Sequence, residues 1–172
     1  MKIESTAFTL TDVRGFLDQF LDHDRDLLAD RLEKASARLA EMGPRVTAGR
    51  GEGEWSSHEI LAHIAVLSKF YGVLVHKISS GQMSDLNLLD NVNVRDVAGE
   101  QMAQLEPADL VRMAMADHQR TITTLRAAEP SALRRAARIE DGTAISAEEV
   151  ARLPLVSHLE LHLEQLEKAL GS

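Results

Sequence analysis

Residues 55–78, WSSHEILAHIAVLSKFYGVLVHKI, decide how this chain folds. Apolar residues recur every three or four positions, the period of a helix with one buried side. Ser56 and Glu59 stand at capping-box spacing, with Ser57 as a rival cap. The helix is therefore predicted from 56 to about 79, with Gly81 just beyond it. Each residue advances about 100° around the axis. Taking His63 as zero, Ile60, Leu67, Phe70, Leu74 and Ile78 fall within about 60°. His63 is expected in the middle of the apolar stripe. His58 and His76 lie about 140° away and are expected at the solvent.

Working outward, a first helix is predicted over 10–42, with Phe16, Leu17, Phe20, Leu21, Leu27, Leu28, Leu32 and Leu39 on its apolar side. Gly43 and Pro44 stop it, and GPRVTAGRGEGE (43–54) reads as a loop. After the second helix, residues 81–106 keep no sustained period. A connection of that length can return the chain along the whole molecule, so the helices it joins are expected to run parallel. Pro107 opens a third helix, 107–128, with Leu110, Met113, Ala114, Ile122 and Leu125 on its apolar side. Pro130 ends it. A short extra helix is predicted within 131–139, and EDGT (140–143) is a turn. Ser146 and Glu149 repeat the capping-box spacing and open a fourth helix, 147–170, with a bend expected at Pro154. No strand is predicted. The fold class expected is all-α: one four-helix bundle domain over 1–172.

Composition narrows the function. Aromatic residues are 3% of the chain and hydrophobic residues 44%, so Leu, Ala, Val and Ile must build the core. That suits helices better than a sheet. The net charge is −8 with histidine neutral. Such a chain repels nucleic acid and anionic lipid unless one face is locally basic. Arg134, Arg135 and Arg138 are the nearest approach to one, and they read as a solvated helix surface. No nucleic-acid partner and no membrane are expected. There is no cysteine, which excludes disulfides, thiolate metal ligands and a cysteine nucleophile within the chain. The opening MKIESTAFTL lacks the apolar core of a signal peptide. No apolar run approaches the roughly 18 residues that span a bilayer. A cytoplasmic location fits these features.

An inward histidine is most simply a core residue bonded to something polar. It becomes a metal ligand only if other donors converge on it. SHLELHLEQLEKAL (157–170) supplies them. His158 and His162 are four apart, so their rings share one helical face. Two imidazoles at that spacing can grip one ion, as the pair in H-E-x-x-H does. Leu159 stands where that motif has its glutamate, so this is not a metalloprotease signature. The pair borders the stripe Leu155, Leu159, Leu163, Leu166 and Leu170, and Gln165 follows on nearly the same face. His63, His158 and His162 would fill three positions around a divalent ion and leave the rest open, as a catalytic site requires. His23 lies in DHDRD and reads as solvated, and His118 reads as a packing or surface residue. Glu59, one turn before His63, is the best candidate for an inward acid, although the capping box explains it more simply. The pattern shows no phosphate loop, nucleophile elbow or Ser/His/Asp triad.

WSSHEILAHIA, followed about 95 residues later by HLELHLEQL, resembles the DinB/YfiT superfamily of bacterial four-helix proteins. Its members pair a Trp-Ser entry to helix two with a ligand histidine two turns in. Their last helix carries H-x-x-x-H-x-x-Q. The resemblance covers the two ligand helices closely and the rest by length and helix order. It implies an up-down-down-up bundle, a divalent ion such as zinc or nickel on His63, His158 and His162, and a homodimer. It also implies use of a low-molecular-weight thiol, as in thiol S-transferases and thiol-dependent isomerases. Gln165 matches the glutamine that often follows the ligands. With Glu59 it is a candidate group behind them. HIAVLSKFYG (63–72) departs from the pattern, lacking the acidic residue often found there.

Two classes of function follow. One is a metal-dependent enzyme, of thiol transferase or hydrolase type, in which the ion lowers the pKa of a bound thiol or water. Any thiol must then come from outside. The other is a metal-binding or interaction module without turnover. Polar groups around the open side of the ion favour the enzyme, and a bare apolar mouth favours the module.

Overall fold

The computed structural model describes residues 10–87 and 98–171. The capping box that opens the second helix forms as read. Ser56 Oγ accepts the Glu59 N–H, and the Glu59 carboxylate accepts the Ser56 N–H. Such a cap contributes about 1 kcal/mol. It starts α2, Ser57–Ser79, which is the core helix. By length and composition α2 could cross a membrane, against the reading that no segment is apolar enough, yet 67% of its most apolar window is buried inside the fold. Leu67 has no exposed surface. Its truncation to alanine would cost about 2–5 kcal/mol.

α1, Leu10–Met42, stops at Gly43 and Pro44, which form a 3-10 turn. α3 spans Pro107–Ala127, and α4 is a single turn, Pro130–Leu133. The long connection before α3 lies partly outside the described residues. The last helix, α5, opens as Ala147–Val150 on the second capping box. It widens to a π-helix over Ala151–Ser157 and continues as His158–Gly171. Pro154 sits inside the wide turn and has no N–H to donate, so the helix relaxes there rather than breaking.

The helices contact one another in a consistent order. Along α1 and α5, Asp24 pairs with Arg152, Arg31 with Glu160 and Arg38 with Glu167. Along α2 and the chain leading through α3, His58 meets Leu105 and Ser68 meets His118. Gly72 faces Thr121 so closely that a Cβ there would collide with its hydroxyl. Against α3, α1 runs the other way: Gly43 lies on Val111, while Arg126 reaches Asp30 and Glu33.

The structure corrects three expectations. Residues 136–138 and 144–146 are not helical or irregular but two short antiparallel strands, β1 (Ala136–Arg138) and β2 (Ala144–Ser146). The D-G pair of the EDGT turn closes a hairpin, with Gly142 at φ 85°. Arg138 lies on β1, Arg135 bonds the Ser79 carbonyl and Arg134 pairs with Asp18, so these arginines do not form one helical surface. Third, the apolar side of α1 is buried only from Leu28 onward, and Phe16, Leu17, Phe20 and Leu27 are exposed. α1 has 33 residues against 21 in α3. α3 ends opposite Arg25, which reaches the Ala128 carbonyl. The first turns of α1 extend past that end.

Candidate metal centre

His63, His158 and His162 come together. Each offers a ring nitrogen within 4.8 Å of those of the other two. Ring centroids lie 4.5 Å apart for His63–His162 and His158–His162, and 5.7 Å for His63–His158. Two helices hold the three rings. α5 carries His158 and His162 one turn apart, just after the π segment. Wide turns of this kind recur at functional sites because they re-aim the side chains that follow. Arg31 of α1 clamps that turn, donating to Ser157 on one side of His158 and to Glu160 on the other.

His63 reaches the group from α2, but not from mid-stripe as expected. The fully buried line of α2 runs through Leu61, Ile64, Leu67, Val75 and Ile78. His63 is half-buried on the flank of that line. The wheel centred on His63 included the half-buried Phe70 and left out Leu61, Ile64 and Val75.

His58 also departs from the solvent position expected of it. It is 5% exposed, more buried than His63. Its Nδ1 accepts the Gly49 N–H at 3.2 Å, and its Nε2 donates to the Leu105 carbonyl at 2.8 Å. Two loops fold over the outer face of α2 and cover it, and a helical wheel cannot register loops. His76 and His23 are exposed, as read. His118 is buried in the core, where its Nε2 donates to Ser68 Oγ, whose own proton goes to the Ile64 carbonyl. Desolvation pushes its pKa down to about 4.

The donor set suits a divalent ion. His162 Nδ1 lies 2.8 Å from Gln165 Oε1, an oxygen that only accepts, so Nδ1 carries the proton. That leaves Nε2 bare and directed at His158 Nε2, 2.8 Å away. Fixing the tautomer from behind is what partners of metal-bound histidines do. Burial holds the His162 pKa below the ordinary histidine value and repulsion from His158 adds to this, against the bond to Gln165. A ring kept neutral is in its ligand form.

Glu59 does not act as a free acid. Its carboxylate takes the N–H groups of Ser56 and Gly51, and these bonds, Ser56 first, hold its pKa below the usual range. It thereby pins the loop that carries Glu54 and Trp55. That loop is tightly turned: a Cβ on Gly51 would strike the Glu54 carbonyl, and Gly53 has φ 97°. The Trp55 indole lies 5.0 Å from the His63 ring and 6.3 Å from that of His162. A cavity of about 550 Å³ opens beside them, lined by Glu54, Trp55, Ile60, His162, Gln165 and Lys168. The residue reading missed Glu54 and Lys168 as wall residues. The spacing H-x-x-x-H-x-x-Q-x-x-K was the only available sign of Lys168. A separate groove of about 430 Å³, lined by Lys69, Lys77 and Arg120 among others, includes none of the three histidines.

No family model matches the chain, and no curated protein matches it. Among solved structures, it is similar to the mycothiol-dependent maleylpyruvate isomerase, with a TM-score of 0.67 and 16% identity. A histidine-to-alanine mutant of that isomerase gives a TM-score of 0.66 at the same identity. The match covers 84% of this chain and 62% of the neighbour, so the chain spans less than two thirds of that protein's length. The likeness is one of fold.

Proposed function

We propose that this protein is a metal-dependent enzyme that uses an external low-molecular-weight thiol at a site built by His63, His158 and His162. The observation that carries the reading is the convergence of three ring nitrogens, from two helices, with one of the rings, His162, lining an open cavity beside Gln165. A buried structural ion would need no such cavity. The ion, zinc or nickel, would lower the pKa of a bound thiol or water. Gln165 holds the His162 tautomer and Glu59 holds the loop wall. The fold neighbour's dependence on mycothiol supports a thiol over water as the nucleophile.

The wider frame of the proposal is an up-down-down-up bundle, supported by the order of contacts among α1, α2, α3 and α5. It is a cytoplasmic homodimer acting on small molecules rather than nucleic acid or membrane. Metal analysis of protein purified without a His-tag column, combined with a thiol-transfer screen, tests the reading. One ion per chain and thiol-dependent turnover of an electrophile are expected. A metal-bound protein without turnover across the screen would leave the binding module instead. Light scattering of a concentrated sample tests the dimer, which an 18.9 kDa species alone would exclude.

A further inference from the structure

The first turns of α1 hold an apolar face that the described residues do not bury. Leu10, Val13, Phe16, Leu17 and Phe20 are between 41% and 66% exposed. At the helical turn per residue they fall within about 120° of arc, one continuous stripe. The steps from 10 to 13, 17 and 20 are those of a seam that packs on another helix. Phe16 meets Phe20 edge-on with ring centroids 4.8 Å apart, so each ring holds the other in place before anything docks. The seam turns polar at Asp24, where Arg152 of α5 reaches it. It is apolar where the described residues leave it bare and charged where the fold comes up against it.

Charge and area decide what covers it. The acids along these turns are paired within the chain, Asp18 with Arg134, Asp22 with Arg25 and Asp24 with Arg152. They need no basic partner, so apolar surface is what remains to be matched. Five side chains exposing about 100 Å² each give about 500 Å² per copy and about 1,000 Å² for a pair, enough for a specific interface at the small end of the range. A single patch of about that size is at the upper end of what a monomer leaves bare.

We propose that this face of α1 is the surface through which two copies of the chain pair, each burying the same patch against the other's. The inference rests on the homodimer reading and names its surface. Arg38, which meets Glu167 of α5, lies 22 residues past Phe16, about 33 Å along the helix. The cavity lined by His162, Gln165 and Lys168 opens at that end, so pairing leaves it accessible in both copies.

Sedimentation velocity of the full chain, over a micromolar to millimolar concentration series, tests the inference. A species of twice 18.9 kDa is expected to grow with concentration. It should persist in about 1 M sodium chloride, which screens charges beyond about 3 Å but leaves apolar contact intact. Phe20→Ala should raise the dimer dissociation constant roughly ten- to hundredfold. Phe16→Lys combined with Phe20→Lys should abolish the dimer. Val73→Lys, at a 43% exposed apolar position on α2, should leave it unchanged. Circular dichroism reads helix content in each variant. If the double variant loses helix, Phe20→Ala alone decides, since alanine favours a helix. A dimer that survives the phenylalanine changes, or that is lost in salt or with Val73→Lys, overturns the inference and leaves the homodimer reading standing. A natural chain that stays at 18.9 kDa throughout the series ends the homodimer reading, and the inference with it.

Discussion

His58 and His63 lie five residues apart on one helix, and their surroundings differ in kind. Both nitrogens of His58 are used by backbone groups, the Gly49 N–H and the Leu105 carbonyl. The ring is more buried than that of His63 and ties two loops to the start of α2. His63 is half-buried, and its ring faces two other imidazoles and an indole. Burial therefore does not separate the structural histidine from the candidate ligand. What separates them is whether fixed backbone groups or other donors meet the ring nitrogens. His118 is structural in another way: its Nε2 donates to the Ser68 side chain deep in the core, away from the three converging rings.

The largest expected effect comes from removing a converging ring. His158→Ala or His162→Ala should lower zinc affinity by more than the 10- to 100-fold typical of a supporting contact. His58→Ala should leave affinity within a few-fold while lowering stability by about 1–3 kcal/mol, because the loop groups it serves lose their partner. Competition titration against a chelator, alongside urea unfolding, reads both. Equal loss of metal in the two variants would dissolve the distinction between these histidines.

Next in size is the acid response of the core histidine. An unfolded chain protonates His118 near 6.5, whereas the folded protein does so only near 4. The unfolded state thus binds the extra proton first. Stability present above pH 6.5 is lost as pH falls through that window, by about 3 kcal/mol at most. Urea unfolding of metal-free protein at pH 7.5 and pH 4.5 measures the loss, and His118→Leu should show a smaller one. An unchanged pH dependence in that variant would place the acid sensitivity elsewhere.

Much of this contrast was legible in the residues, and the rest has identifiable causes. Helix limits followed from Gly43, Pro44, Pro107, Pro130 and the two capping boxes, because those signals act within a few residues. The pair His158 and His162 was legible for the same reason: a four-residue spacing is local. Three features were not. His58 is buried by loops, which no helical period encodes. The hairpin of Ala136–Arg138 with Ala144–Ser146 uses strands of three residues each, too short for an alternating pattern to register. Phe16 and Phe20 keep the spacing of a core face on turns of α1 that extend past its partner. Glu54 and Lys168 line one cavity only after folding, and nothing along the chain links the two positions.

Smaller effects refine the picture. Gln165→Ala should weaken zinc binding about 10- to 100-fold, less than loss of a ligand, since it releases the His162 tautomer without removing a donor. A Gln165→Glu variant should retain the bond to Nδ1 and recover affinity, which separates tautomer control from simple packing. Ser56→Ala should cost about 1 kcal/mol in unfolding free energy through the lost cap. Its effect on metal should be slight, unless the Trp55 loop moves with it.

The central claim is that three histidines from two helices meet on one ion. An anomalous-difference map from crystals of the zinc-loaded protein, collected at the zinc absorption edge, tests it most directly. The expected result is a single peak about 2.0–2.1 Å from one nitrogen each of His63, His158 and His162. A peak at His58, His76 or His23, or no peak among the three rings at full zinc loading, would contradict it.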